Sequence, residues 1–347
     1  MKKLISLTLA LMLVFSLATV AMAANFDSAG NQVTYPQQNG YTDISTVKIH
    51  KTYELAGTTG ESPAEKFGFT IAAGWNGTYV ENPGTGVTND STILCPTIVG
   101  GGVSFAKGAA GSATKVQDVV ITLPTYTNVG IYHYTITETA SSTAGVTSHS
   151  TPIHLVVSVI QQGTNQIRVA AVHTEVSGTK SDAITNTYTA GSLKVQKEVE
   201  GYYGDLNKDF TIEITFTPEN GKQFAAGDVQ ITTTAPTDVV TRTNNADGSV
   251  KYSIVVSDGE SVTFENVPSG TKYSVSEPTP GDYTVTYDTN KEGTITNGAV
   301  TTIVTNTKDG TVDTGITLDS LPFVLILAVC AGAVVLFVIK RRNSAEF

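Results

Sequence analysis

Two lysines occupy positions that a strand would normally give to apolar side chains of a protein core. Alternation along residues 191–201 places Lys197 in a row of Leu and Val residues, and alternation along residues 46–53 does the same for Lys51, while Lys48 faces outward. Burying an ammonium group without a partner is costly, so proteins pair it, neutralise it or consume it chemically. Lys51 and Lys197 are therefore the candidate reactive amines.

A glutamate and an asparagine follow each of these lysines in the same order. Glu138 and Glu277 each end an alternating, strand-like segment, and Asn186 and Asn306 each lie in the middle of a Thr-Asn-Thr triplet. The chain thus carries the order Lys, Glu, Asn twice. Each set combines an amine, a proton-transfer group and a carboxamide.

This doubled order resembles the major pilins of Gram-positive bacteria, of the two-domain streptococcal type with collagen-adhesin B-type (Cna B-type) domains. The resemblance extends over nearly the whole chain after the leader. It implies self-formed isopeptide bonds that join Lys51 to Asn186 and Lys197 to Asn306. Glu138 and Glu277 would catalyse these single-turnover reactions, with no cofactor or metal. It also implies a structural subunit rather than an enzyme.

Burial explains how such a bond could form. A low-dielectric core disfavours the charged forms of both groups, so a neutral Lys197 amine can face a protonated Glu277. The amine can then attack the Asn306 carboxamide while the glutamic acid polarises the amide and transfers protons. The alternative is a buried Lys–Glu ion pair, which has two desolvation costs and leaves the recurrent asparagine unexplained.

Composition indicates an exported β-protein. Thr, Val, Gly and Tyr are prominent between the two ends, and short alternating runs separated by Gly, Asn and Ser predict an all-β fold. We expect two tandem immunoglobulin-like β-sandwich domains, residues 42–190 and 191–308. The formal net charge of −10 argues against nucleic acid as a partner.

The two ends carry export and anchoring signals. Residues 1–23 have the basic, apolar and small-residue regions of a signal peptide, and residues 24–41 form a polar N-terminal segment. Residues 309–347 are predicted to form a sorting signal, with a transmembrane segment at 321–339 followed by three basic residues. The preceding Thr-Val-Asp-Thr-Gly resembles an L-P-x-T-G sortase signal, which implies cleavage between Thr314 and Gly315. An ordinary single-span anchor is the alternative.

Three other features favour ordinary structural explanations. The glycine-rich residues 100–112 lack a phosphate-loop ending and are predicted to form a flexible surface loop. Asp205, Asn207 and Asp209 have calcium-loop spacing but no glycine at the sixth position. Cys95 has no intradomain partner and is predicted to be a small buried residue.

The resemblance implies a pilus shaft subunit on the cell wall. Its partners would be other copies of itself, pilin and housekeeping sortases, peptidoglycan and accessory pilins, with transient membrane anchoring before cleavage. The position of the acceptor amine in similar pilins points to Lys180 as the polymerisation lysine. Lys107 and Lys115 are rival exposed amines. The alternative function is a wall-anchored adhesin that binds a host or surface ligand and needs no acceptor lysine.

Overall fold

The structure is a computed structural model that describes residues 44–57, 60–162, 167–235, 240–311 and 321–343. The predicted signal peptide (1–23), the N-terminal segment (24–41) and the predicted sortase cleavage site at Thr314 and Gly315 lie outside the described residues.

The first domain consists of two sheets that pack face to face. One sheet has the strand order β4-β6-β1-β12-β8, and the facing sheet has the order β11-β10-β9-β7-β2-β5, with β3 paired to β7. The strands are β1 (Thr46–Leu55), β2 (Glu65–Ala73), β3 (Val80–Glu81), β4 (Thr97–Ile98), β5 (Gly102–Phe105), β6 (Val116–Thr122), β7 (Gly130–Glu138), β8 (Val146–Thr147), β9 (Ile153–Gln161), β10 (Ile167–Val176), β11 (Thr179–Lys180) and β12 (Ala183–Tyr188).

The second domain repeats this plan with two five-stranded sheets. Their strand orders are β15-β18-β13-β22-β20 and β16-β17-β14-β19-β21. The strands are β13 (Ala190–Glu200), β14 (Phe210–Thr217), β15 (Gln230–Thr233), β16 (Val240–Asn244), β17 (Val250–Val256), β18 (Ser261–Pro268), β19 (Lys272–Ser276), β20 (Thr284–Tyr287), β21 (Glu292–Thr294) and β22 (Ala299–Thr307). The predicted all-β fold with tandem sandwiches is confirmed.

The first and last long strands of each domain are parallel neighbours in the middle of one sheet. β1 pairs with β12, and β13 pairs with β22. Period-two burial along β13 puts every second side chain into the core, because successive side chains of a strand point to opposite faces. The same alternation in β1 buries Ile49, Lys51 and Tyr53. Lys51 and Lys197, which the alternation of apolar residues in the sequence predicted to point inward, therefore face the cores.

The two domains are joined directly and share polar contacts. β12 ends at Tyr188, and β13 begins two residues later at Ala190. Lys222 of the second domain donates to the carbonyl oxygens of Ser141 (2.5 Å) and Val146 (3.1 Å) of the first. Across the same joint, the Glu61 N–H donates to Asn266 Oδ1 at 2.9 Å. These hydrogen bonds restrict rotation between the sandwiches.

The predicted transmembrane segment coincides with a helix. Helix α1 (Leu321–Asn343) contains a stretch, Pro322–Arg342, that by length and composition could cross a membrane. Its last turn carries Lys340, Arg341 and Arg342, which suits an end at the cytoplasmic surface.

Two expectations about the first domain were wrong. The glycine-rich residues 100–112 include strand β5, and Phe105 is 3% exposed, so the segment is partly core rather than a flexible loop. A Cβ on Gly102 would lie 2.0 Å from the Phe67 carbonyl oxygen, so this glycine serves a close backbone approach. Cys95 is exposed rather than buried.

Two buried Lys-Glu-Asn triads as the candidate functional site

The first triad is assembled from both sheets of its sandwich. Lys51 lies on β1 and Asn186 on the neighbouring β12, whereas Glu138 ends β7 in the facing sheet. Lys51 and Asn186 are fully buried, and Glu138 is 7% exposed. The structure therefore brings together the three residues that the sequence pattern selected.

Hydrogen bonds link the three side chains of the first triad in a closed ring. Lys51 Nζ donates to Glu138 Oε2 at 2.6 Å and to Asn186 Oδ1 at 2.5 Å. Asn186 Nδ2 donates to the other carboxyl oxygen, Glu138 Oε1. The glutamate thus contacts both the attacking amine and the amide nitrogen that would leave. This is the arrangement that a proton-transfer group requires.

The second triad has the same members on equivalent strands. Lys197 lies on β13 and Asn306 on β22, and Glu277 directly follows β19 of the facing sheet. Lys197 and Asn306 are fully buried, and Glu277 is 7% exposed. Asn306 Nδ2 donates to Glu277 Oε1 at 2.6 Å, as in the first domain.

The amine of the second triad is oriented differently. Lys197 Nζ donates to the backbone carbonyl oxygens of Glu198 and Val304, both at 3.1 Å. It lies 3.8 Å from Glu277 Oε2. Within the described residues, Glu277 Oε2 and Asn306 Oδ1 are buried without a hydrogen-bond partner. The second triad is therefore assembled but more loosely connected than the first.

Burial gives both lysines the acid–base properties of a nucleophile. Desolvation lowers the pKa of Lys51 to about 8, and the opposing effect of Glu138 only partly offsets it. The pKa of Lys197 is also lowered to about 8, mainly by burial, while Glu277 acts in the opposite direction. Such a pKa leaves about a tenth of the amines neutral at pH 7, whereas an ordinary lysine is almost wholly protonated.

Aromatic rings surround both amines and were not identified from the sequence. Lys51 Nζ lies 4.9 Å from the centre of the Phe67 ring and 5.8 Å from that of Phe69. Lys197 Nζ lies 4.6 Å from the centre of the Phe210 ring. The rings exclude water, and their faces offset part of the cost of a buried cation. Phe67 and Phe69 are two residues apart on β2, so both side chains face the core.

One further contact of the first triad comes from the backbone. The His149 N–H donates to Asn186 Oδ1 at 2.7 Å. No side-chain pattern could have revealed this donor, because every residue except proline has a backbone N–H.

Lys180, the predicted polymerisation lysine, lies away from both triads. It belongs to the two-residue strand β11, which pairs with the end of β10, and its side chain is exposed. Ser177 and Gly178 form the intervening turn with φ angles of 51° and 74°. The segment is thus a tight hairpin that presents Lys180 on its second strand.

Comparisons with known proteins agree with this architecture. Residues 47–189 match the "Spy0128-like isopeptide containing domain" family, and residues 191–308 match a "Domain of unknown function (DUF7601)". A pilin of Streptococcus pyogenes serotype M1 is 29% identical over 259 residues, which cover 67% of this chain and 74% of the relative.

Two solved structures are among those similar to this chain. A crystal structure of the major pilin from Streptococcus pyogenes is 22% identical, with a TM-score of 0.49, and the match covers 77% of this chain and 99% of that one. A second S. pyogenes major pilin, T3.2, is 20% identical, with a TM-score of 0.45, at 77% and 99% coverage.

The two strand-rich sandwiches each bury one Lys-Glu-Asn triad, and their similarity to a pilin indicates a structural subunit. Residues 47–189 match the model of the Spy0128-like isopeptide containing domain, and 67% of the chain is homologous to a streptococcal pilin. By this homology the chain is a pilus shaft subunit.

Proposed function

We propose that this pilin forms one intramolecular isopeptide bond in each domain and is joined to its neighbours by sortase. The observation that carries the proposal is the bridging position of Glu138, which contacts Lys51 Nζ with one oxygen and Asn186 Nδ2 with the other. An ion pair would need only the first contact. The second places the acid at the leaving nitrogen.

The proposed reaction exchanges one amide for another. The neutral Lys51 Nζ attacks the Asn186 carboxamide carbon, and the carbon–oxygen double bond opens to place negative charge on Oδ1. Glu138 takes a proton from the attacking nitrogen and delivers one to Nδ2. The bond from carbon to Nδ2 then breaks and ammonia leaves. The product is a secondary amide between Lys51 and Asn186, and Glu138 ends in its starting form.

The parallel pairing gives the bonds a mechanical role. β22 runs alongside β13, so the chain leaves the second domain at the end farthest from the joint. A Lys197–Asn306 bond would carry tension straight from β13 into β22 and toward Thr314. The rest of the second domain would then bear no load. The Lys51–Asn186 bond would hold β12, which leads into β13, against β1.

Lys180 is the acceptor amine that the geometry favours for polymerisation. β12 separates it from the joint by about 17 Å, at 3.3 Å per residue over Ala183–Tyr188. Within the described residues Lys180 has no ion pair, whereas Lys107 and Lys115 pair with Glu61 and Glu54 at 2.9 and 3.8 Å.

Lys107 is further disfavoured by its location. Its partner Glu61 is also hydrogen-bonded to Asn266 of the second domain, so Lys107 lies at the joint, where the chain's own second domain is packed. Joining Thr314 of one subunit to Lys180 of the next would stack second domains on first domains. A pilin sortase would make these joints, and a housekeeping sortase would attach the finished shaft, with accessory pilins, to peptidoglycan.

The test is the size of the cell-wall species that contain this chain. Expression with a pilin sortase should give a ladder of high-mass, SDS-resistant polymers, and Thr314→Ala should abolish it. A wall-linked form of monomer size alone would contradict the shaft assignment and favour the adhesin alternative.

A further inference from the structure

The two triads differ at the oxygen where negative charge would develop during bond formation. In the first domain Asn186 Oδ1 accepts hydrogen bonds from Lys51 Nζ at 2.5 Å and from the His149 backbone N–H at 2.7 Å. In the second domain Asn306 Oδ1 is buried and has no partner within the described residues.

The cause of the difference is the strand that flanks each asparagine. In the first domain β8 pairs with β12 only at Thr147–Thr187 and Val146–Tyr188, so the chain leaves the ladder just before His149. The His149 N–H is then free to turn toward the Asn186 side chain.

In the second domain the corresponding strand, β20, pairs with β22 from Thr284 to Tyr287, and Val285 stands directly opposite Asn306. The pairing of β20 with β22 continues past the asparagine. The backbone of β20 beside Asn306 is therefore part of the sheet. A comparable N–H does not reach the Asn306 carboxamide in the described structure.

Attack of the amine increases the negative charge on the asparagine Oδ1. The ground-state carboxamide oxygen carries a partial charge, whereas the tetrahedral intermediate carries a full negative charge there. After attack, Lys51 Nζ is bonded to the amide carbon and no longer serves as a separate donor to Oδ1. The His149 N–H remains in place, and a fixed donor at a developing oxyanion in a buried site is an efficient catalytic device.

We propose that the backbone N–H of His149 is a catalytic group of the first domain, acting as its oxyanion donor, and that the second domain closes its bond without an equivalent group. The inference rests on the proposed isopeptide chemistry. The imidazole of His149 has no part in it, since the donor is the main chain. Removing one such donor slows acyl-transfer enzymes by about 100-fold or more.

The test removes the N–H while keeping the side chain. The full chain is translated in a cell-free extract with detergent, and β-imidazolyl-lactic acid is incorporated at residue 149 by nonsense suppression, which replaces the amide N–H with an ester oxygen. Samples are quenched in denaturant over time, and the crosslinked tryptic peptides of each domain are quantified by mass spectrometry. A matched ester at the neighbouring exposed Ser150 serves as the control.

The ester at residue 149 should slow closure of Lys51–Asn186 by on the order of 100-fold relative to the Ser150 ester. Closure of Lys197–Asn306 in the same molecules is the internal reference and should not change. His149→Pro removes the same N–H by ordinary mutagenesis and should give the same loss. If proline prevents folding of the first domain, the ester variant alone tests whether the His149 N–H accelerates formation of the Lys51–Asn186 bond.

Closure at the control rate in the residue 149 ester overturns the inference. The proposed function fails in a different way: if neither bond forms in the unmodified chain, the isopeptide chemistry itself is wrong. If both bonds form and only the ester effect is missing, the chemistry stands and His149 has no catalytic role.

Discussion

Asn186 stands two residues beyond Lys51 in the parallel ladder between β1 and β12, directly opposite Tyr53. The second domain has the same offset, because Asn306 stands opposite Val199, two residues beyond Lys197. A two-residue offset keeps both side chains on the core face of their strands. It also lets the long lysine reach diagonally to the short asparagine. The repetition of this register in both domains is strong support for a common chemistry.

We expect each glutamate to serve only its own domain, because the two triads lie in separate cores. Glu138→Ala should block the Lys51–Asn186 bond and leave Lys197–Asn306 intact, and Glu277→Ala should do the reverse. After correction for the substitution, the intact mass should rise by one ammonia. Loss of a crosslink that closes a loop of this length costs about 5 kcal/mol in the chain-entropy model, so thermal and protease resistance should fall.

Exposed glutamates on the same sheets provide matched controls for these variants. Glu81→Ala in the first domain and Glu292→Ala in the second should leave both bonds in place. Full crosslinking in either triad variant would show that the buried glutamate is dispensable.

Polymerisation should depend on Lys180 and be separable from the internal bonds. Lys180→Ala should abolish the high-mass ladder, because it removes the acceptor amine, while both internal crosslinks still form. Lys107→Ala is the matched control and should leave the ladder unchanged. If the ladder persists in Lys180→Ala and the joint maps by mass spectrometry to another lysine, the assignment is wrong.

The stability of the folded protein should depend on pH through Asp228 of the second domain. This residue is 2% exposed, and its burial raises the pKa of its carboxyl to about 6, although the Ala225 N–H, Lys107 and Arg242 act in the opposite direction. Because the folded pKa exceeds the unfolded value, the folded state binds more protons between about pH 4 and 6. Stability should therefore fall as pH rises through this window.

Asp228→Asn should remove most of this pH dependence and stabilise the protein at pH 7 by about 3 kcal/mol. Urea unfolding at several pH values between 4 and 7.5 measures the effect. Asp209→Asn, at an exposed position, is the control and should leave the slope unchanged. If the free energy of unfolding of Asp228→Asn depended on pH as steeply as that of the unmodified chain, Asp228 would not be the source of the pH dependence.

In the unmodified chain the Lys51–Asn186 bond should form before Lys197–Asn306. Lys51 Nζ already contacts the Asn186 carboxamide, whereas Lys197 Nζ must first leave the carbonyl oxygens of Glu198 and Val304. Time-resolved peptide mapping after synthesis measures the order. Simultaneous closure or earlier closure in the second domain would contradict it.

Period-two alternation made much of this fold and both triads predictable. Parity alone selected Lys51 over Lys48, since adjacent strand residues face opposite sides. Glu138 and Asn186 were identified by their repetition in the second half of the chain, because a single Lys and Glu would equally suit an ion pair.

The remaining features depend on tertiary contacts that leave no pattern in one sequence. The His149 donor is a backbone group whose direction is set by where β8 leaves its ladder. Residues 100–112 were misjudged because their glycines suggested flexibility, whereas Gly102 is required by the close Phe67 backbone. Cys95 was assigned to the core from residue-type preference, which says nothing about the particular loop that carries it.

The central claim is that both triads react spontaneously, and intact mass spectrometry of recombinant residues 24–314 tests it most directly. The account predicts a mass below the sequence mass by two ammonia equivalents, with tryptic peptides that link Lys51 to Asn186 and Lys197 to Asn306. A mass equal to that of the unmodified sequence would contradict it.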